Sequence, residues 1–287
     1  MAPVAVVTDS TGYLPAGLAE RHGVHVVPLR VTLGQRTGLD VVDVGPSEVT
    51  RALADPSLTV GTSRPAPAEL AARYRALLDA GAPSVVSVHL SRRLSGTWEA
   101  ARLAAGEVGP ARVRVVDSRS AAMGLGFAVL AAAIEAAAGA DGAQVEAAAV
   151  RVAARSSVYF CVDSLEQLRR GGRIGSAAAW WGGALSVKPV LHVANGEIAP
   201  LEKVRTSARA TARLVELAVC AAGTGAADLA VHHLAAPDRA VELADTLRRR
   251  LPDARPCLVS EVGAVLGAHA GPGLLGVVVV PEDNSAG

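Results

Sequence analysis

Aromatic side chains are scarce in these 287 residues: three tryptophans, three tyrosines and two phenylalanines, 3% of the chain. That scarcity removes the stacking platforms on which single-stranded nucleic-acid binders lay successive bases. Charge excess is missing as well. Lys and Arg total 28 against 27 Asp and Glu, a formal net charge of +1, so no global field draws the chain to a phosphate backbone or an anionic bilayer. Nucleic acid is not an expected partner. The three cysteines, Cys161, Cys220 and Cys257, are odd in number and widely spaced. They predict buried free thiols in a reducing compartment instead of a disulfide framework. No basic region precedes the first apolar run, Val4 to Val7, so no secretory signal is expected and the predicted location is the cytoplasm.

Catalytic signatures are equally thin. No G-x-G-x-x-G follows a strand and opens a helix, which argues against a dinucleotide-dependent oxidoreductase. The absence of G-x-x-x-x-G-K-[ST] argues against ATP binding by a P-loop. His232-His233 has no Cys, Asp or His at ligand spacing around it, so neither a metal nor a cofactor is expected.

What is present is apolar: 51% of the residues are hydrophobic, enough for a large core at a length where one core divides into two. Val-rich runs at Val4 to Thr8, Val24 to Leu29, Ser84 to Leu90 and Val113 to Val116 alternate with helical spacing at Ala68 to Leu78, Thr97 to Ala105 and Ala121 to Ala138. Continuous apolar strands separated by helices predict a doubly wound α/β domain with a parallel sheet covered on both faces. Ala121 to Ala140 is apolar enough to raise a membrane question, but it is rich in Ala and Gly and carries Glu135, so a buried helix is expected. From Ser156 onward the runs shorten: Val158 to Val162, Val187 to Val193, Leu229 to Leu234, Cys257 to Val262 and Leu275 to Val280. Ala194-Asn195-Gly196-Glu197 marks a hairpin, and helices are expected at Ala208 to Ala221 and Asp238 to Arg250. The predicted division is therefore 1–156, an α/β domain with the Thr62 and Ser95 loops, and 157–287, an α+β domain with a largely antiparallel sheet carrying Arg173, Arg205 and His269.

Three motifs interrupt the apolar pattern: Gly61-Thr62-Ser63-Arg64-Pro65, Leu94-Ser95-Gly96-Thr97 and Gly267-Ala268-His269-Ala270-Gly271-Pro272-Gly273. Each offers a hydroxyl, an imidazole or bare backbone N–H groups near the end of a β-like run, a neutral cradle for one small anion. Ser95 has two compatible readings, a helix N-cap and a ligand contact assisted by the backbone of Gly96 and Thr97 at a helix start. His269 is either a satisfied turn residue or a donor beside an anion, neutral or protonated. Arg173 is either a surface arginine on backbone carbonyls or a local cation. Asp9 and Asp117 cap helices or support the Ser95 loop.

In order, Val7-Thr8-Asp9-Ser10-Thr11, Thr62-Ser63-Arg64-Pro65-Ala66-Pro67, Leu94-Ser95-Gly96-Thr97, Asp117-Ser118, Leu168-Arg169-Arg170-Gly171-Gly172-Arg173-Ile174, Lys188-Pro189 and His269-Ala270-Gly271-Pro272-Gly273 closely resemble the DegV family over essentially the whole chain. The resemblance implies a protein that is not itself an enzyme. It implies one long-chain fatty acid in a tunnel between domains, and a separate fatty acid kinase subunit that phosphorylates the carboxylate from ATP. It places Thr62, Ser95, Arg173 and His269 at the head group and its network, and Arg205 on the surface that meets the kinase; the residues themselves add Gly96 at the carboxylate, Asp117 and Ser118 in the supporting network, and Lys203 beside Arg205. The chain departs from the family pattern at Arg64, Ala66, Arg92, Arg93 and Trp98, positions that bear on chain-length preference and docking.

The physics of such a ligand is independent of the resemblance. Each buried methylene contributes roughly 0.8 kcal/mol, so about fourteen of them offer on the order of 11 kcal/mol before ordering costs. The carboxylate needs donors, because a buried unpaired charge cancels much of that gain. The competing reading is an acyl hydrolase or acyltransferase with Ser95 as nucleophile and His269 as base, although Leu94-Ser95-Gly96-Thr97 is not the G-x-S-x-G elbow.

Overall fold

In a computed structural model the described residues are 2–180 and 187–283. Met1, where the leader reading begins, and the last four residues of the expected second domain lie outside them. The chain divides into two units, the first Met1–Arg30 with Ser63–Ala154, the second Val31–Thr62 with Arg155–Gly287.

In chain order the elements are β1 (Ala5–Asp9), α1 (Leu18–Arg21), β2 (Val24–Val27), β3 (Arg30–Leu33), β4 (Arg36–Leu39), α2 (Pro46–Ala54), β5 (Val60–Ser63) and α3 (Pro67–Asp79). Next come β6 (Val85–His89), α4 (Thr97–Val108), β7 (Val113–Asp117), α5 (Met123–Ala137) and α6 (Gly142–Arg155). The remainder is β8 (Ser157–Cys161), α7 (Glu166–Arg170), β9 (Lys188–Ala194), β10 (Glu197–Val204), α8 (Ser207–Ala222), β11 (Ala227–His233), α9 (Pro237–Arg250), β12 (Leu258–Glu261), α10 (Ala264–Ala270) and β13 (Leu275–Pro281).

The first unit is the expected parallel sheet, in the order β2-β1-β6-β7. Every residue of β1 and of β6 is buried, as a strand covered on both faces must be. Leu70 and Tyr74 of α3 pack with Ala100, Ala101 and Ala104 of α4 on one face, and Leu125, Ala128, Val129 and Ala132 of α5 cover the other. Full burial of side chains the size of Leu70 stabilises by about 1.5–3 kcal/mol each. The apolar stretch around Ala121 to Ala140 is α5, buried over most of its length. Among the described residues no helix is long and apolar enough to cross a membrane. β2 and β6 flank β1 on opposite sides, so the strand order reverses at β1, and the carboxyl ends of β1 and β6 form the switch point where such sheets bind ligands.

The second unit contains a six-stranded sheet, β10-β9-β8-β13-β11-β12, antiparallel except for the β11–β12 pair. Asn195 and Gly196 both take positive φ, 52° and 85°, and close the β9–β10 hairpin as a two-residue turn should. α8 and α9 bury Leu214, Ala218, Leu243 and Leu247 with Leu229 and Val277 of the sheet.

A single cut at residue 156 does not describe this chain. Residues 31–62 leave the first unit and join the second, where the small sheet β4-β3-β5 forms and α2 packs on α10. Buried Asp40 accepts the Val265 N–H at 3.2 Å, and α2 packs so closely on α10 that a Cβ added at Gly267 would lie 3.0 Å from a Val49 methyl. Buried thiols are a second correction. All three cysteines are free, but Cys220 is exposed and Cys257 only half-buried. The buried positions of α8 are 210, 214, 215, 218 and 222, and residue 220 falls on the opposite side of the helix.

Candidate functional site

In the second unit, Thr62 near the end of β5 and His269 in the last turn of α10 meet. Thr62 Oγ1 and His269 Nε2 lie 2.8 Å apart. Residues 207 positions apart in sequence are thus joined by the excursion of residues 31–62. Burial first, and the nearby Arg173 guanidinium second, lower the His269 pKa to about 4. The ring is therefore neutral at ordinary pH and offers a single N–H, so the protonated option is removed. Nδ1 is buried with no hydrogen-bond partner among the described residues. Gly171 is pressed against it, and a Cβ there would collide with Nδ1. Arg173 Nη1 donates to the Gly171 carbonyl, so it is both an arginine on backbone carbonyls and the cation that acts on His269. Beside this pair runs a cleft of about 690 Å³, lined by Leu53 of α2, by Pro56 and Leu58 after it, by Gln167 and Arg170 of α7, and by Ala268 and His269. That volume falls within the roughly 300–1,000 Å³ of small-molecule sites.

At the switch point of the first unit, Asp9 does more than cap. Its Oδ1 accepts the Thr11 N–H at 3.0 Å and the Thr11 hydroxyl at 2.6 Å. Its Oδ2 accepts His89 Nδ1–H and the Leu90 N–H, both at 3.0 Å. With Nδ1 donating to Asp9, His89 Nε2 accepts from Ser87 Oγ at 2.8 Å, and Tyr74 Oη donates to Ser87 Oγ at 2.8 Å. Burial raises the Tyr74 phenol pKa. Ser87, His89 and Asp9 have the composition of a nucleophilic triad, but all three are fully buried, and Tyr74 occupies the serine. Their role is to fix the strand ends. The sequence offered Asp9 as a cap or as support for the Ser95 loop but not as the partner of His89, for which a Ser-x-His alternation in β6 was the signal available.

The Ser95 loop follows directly. Leu94 and Ser95 both donate backbone N–H groups to the Ser91 carbonyl. Asp117 accepts the Arg92 N–H at 3.3 Å and the Arg119 N–H at 2.9 Å, and pairs with the Arg92 side chain at 3.5 Å. It caps no helix; it braces the loop. Ser118 Oγ accepts the Ser120 N–H, and the Ser120 carbonyl accepts the Ser91 N–H at 2.8 Å, so Ser118 braces the same loop from below. The helix cap expected at Ser95 is not there. Gly96 is the N-cap of α4 and makes no side-chain cap bond, while Ser95 Oγ lies 2.9 Å from Thr97 Oγ1. Half-buried Ser95 thus pairs its hydroxyl with that of Thr97 and leaves the cap position to Gly96. Trp98 lies between the guanidinium groups of Arg92 and Arg102, 5.3 and 5.2 Å from its ring centroid.

The remaining expected positions are surface ones or inert. Lys203 and Arg205 are exposed at the end of β10, before α8. His232 Nδ1 lies 3.1 Å from Ser260 Oγ, and burial pushes its pKa down to about 4. Among the described residues no group of His, Cys, Asp and Glu is arranged to hold a metal ion.

Residues 3–282 match the family described as "Uncharacterised protein, DegV family". The chain belongs to the DegV family. A DegV domain-containing protein of Streptomyces coelicolor is 54% identical over 276 residues, covering 96% of this chain and 98% of that one. Among solved structures, a DegV family protein of Thermus thermophilus, described by its fatty acid binding, superposes with a TM-score of 0.93 at 34% identity, covering 98% of this chain and all of that one. Bacillus subtilis DegV, described as a fatty acid binding protein, gives 0.88 at 32% identity with the same coverage. The DegV architecture, with one parallel sheet and one mostly antiparallel sheet, is thus shared over 98% of this chain. The elements that carry Thr62, Ser95 and His269 lie inside the shared region.

Proposed function

We propose that this chain binds one long-chain fatty acid, holds its carboxylate with Thr62, Ser95, Gly96 and His269, and presents it to a separate ATP-dependent kinase for conversion to the acyl phosphate. The observation that carries the reading is the Thr62–His269 pair, a hydroxyl and a neutral imidazole held together beside a cleft. It stands in a family whose solved members at 32–34% identity are described as fatty acid binding.

Neutral donors suit a carboxylate that must be released after phosphorylation. A fixed buried cation would hold the charged product as firmly as the substrate, whereas hydroxyls, one imidazole N–H and the amides at the start of α4 satisfy the head group without a permanent counter-charge. Arg173, Asp117 and Ser118 support those donors by the bonds already described. In this reading the kinase brings the nucleotide, the protein itself has no catalytic residue or cofactor, and it works in the cytoplasm. Arg205 and Lys203, exposed together at the end of β10, are the surface the kinase meets.

The test is equilibrium binding of a fatty acid to Ser95→Ala and His269→Ala proteins. Each is expected to weaken binding by about 1–3 kcal/mol, the range for a lost hydrogen bond to a charged group. Unchanged affinity in both removes the head-group assignment, and stoichiometric labelling of Ser95 by a fluorophosphonate would favour an acyl hydrolase instead. Arg205→Ala is expected to keep lipid affinity and lose the kinase-dependent step.

A further inference from the structure

One cation beside the Ser95 loop has no part in the reading above. Arg64 lies in the exposed segment between β5 and α3, and its Nη1 donates to the Gly96 carbonyl at 3.1 Å. A Cβ on residue 96 would collide with that nitrogen. Gly96 has φ −75° and ψ 12°, a conformation open to any residue, so the backbone does not require glycine there. Arg64 does. The neighbouring guanidinium groups are otherwise occupied, Arg92 by Asp117 and Trp98, Arg102 by Trp98. Arg64 has no carboxylate partner among the described residues. Four of the five N–H donors of an arginine remain after the Gly96 bond.

We propose that Arg64 reads the charge of the ligand's head group, pairing with an anion held at the Ser95 loop and so discriminating an ionised carboxylate from a neutral head group on the same chain. The inference rests on the fatty-acid reading and deepens it. Gly96 provides the space the guanidinium occupies, and the Gly96 carbonyl accepts one of its N–H groups. Because Arg64 is exposed and flexible, it adds a counter-charge that solvent can replace, unlike a cation buried in the site.

The experiment is equilibrium titration of the full-length protein with oleate and with oleyl alcohol, using wild type, Arg64→Gln, Gly96→Ala and the double variant. Arg64→Gln is expected to lose about tenfold in oleate affinity, the scale of one charge-assisted bond, while oleyl alcohol binds as before. Gly96→Ala, which displaces the guanidinium, is expected to show the same selective loss. The double variant is expected to lose no more than Arg64→Gln alone, because the two changes remove one interaction. Equal losses for acid and alcohol, or undiminished oleate binding by Arg64→Gln, overturn the role of Arg64 while leaving the fatty-acid reading intact. A wild-type protein that binds neither ligand overturns both.

Discussion

Two polar centres in this molecule have nearly the same ingredients and opposite fates. In the first unit, Asp9, His89, Ser87 and Tyr74 form a closed chain in which both imidazole nitrogens and both carboxylate oxygens are engaged, all fully buried or nearly so. In the second, a hydroxyl and an imidazole meet at Thr62 and His269, but one ring nitrogen has no partner among the described residues and the pair borders a cleft. A list of residue types would favour the first as a catalytic site. Satisfaction and access decide the other way: a network with every donor and acceptor used and no path to solvent is scaffold, whereas an incompletely satisfied pair beside a cleft can receive a ligand.

The comparison can be broken most forcefully at Asp9. Asp9→Ala leaves the His89 Nδ1–H and the N–H groups of Thr11 and Leu90 buried without an acceptor, and a loss of about 3–5 kcal/mol in urea-unfolding stability is expected, as for a broken buried pair. A loss below 1 kcal/mol would show that the network is not the scaffold described. Next in size is Gly171→Ala, which drives a methyl group into the His269 ring. The expected outcome is about 1–3 kcal/mol of overpacking, with fatty-acid affinity falling further than stability alone requires. A smaller effect concerns pH. His232 and His269 have folded pKa values near 4, below the ordinary 6.5. Between those values the unfolded chain takes up protons that the folded chain refuses, so stability is fully present above about pH 6.5 and declines as the pH falls toward 4. His269→Gln is expected to flatten part of that decline in melts recorded from pH 7 to 4.5, and a protein that becomes more stable on acidification over this range would contradict the assignment. For the same reason, fatty-acid affinity should not track a histidine titration between pH 6 and 8.

Much of the fold was legible because strong periodicity and burial coincide. The Val runs of β1, β6 and β7, the helical spacing of α3, α4, α8 and α9, and the Asn195-Gly196 turn all appear where the sequence places them. The excursion of residues 31–62 was not legible. Its strands are four residues long and its helix nine, and what fixes it is contact with α10, more than 200 positions away, which no local pattern encodes. α10 itself was hidden by its glycines, which read as a turn. A seven-residue helix has little intrinsic stability and depends on tertiary packing. Of the site, the residue types and the loops were visible, but the Thr62–His269 pairing came from family resemblance and not from spacing. The Asp9–His89 bond, between residues 80 positions apart, left only its cap-like half in the local sequence. Ser95 shows the opposite error, since a serine just before a helix fits the capping rule and yet leaves the cap to Gly96.

Native mass spectrometry of the purified chain, followed by denaturing extraction and identification of what is released, tests whether one fatty acid occupies this protein. The expected result is a complex heavier than the polypeptide by a single fatty acid at one-to-one stoichiometry, reduced in the His269→Ala protein. A mass equal to the bare polypeptide, unmoved by added long-chain fatty acids, would contradict it.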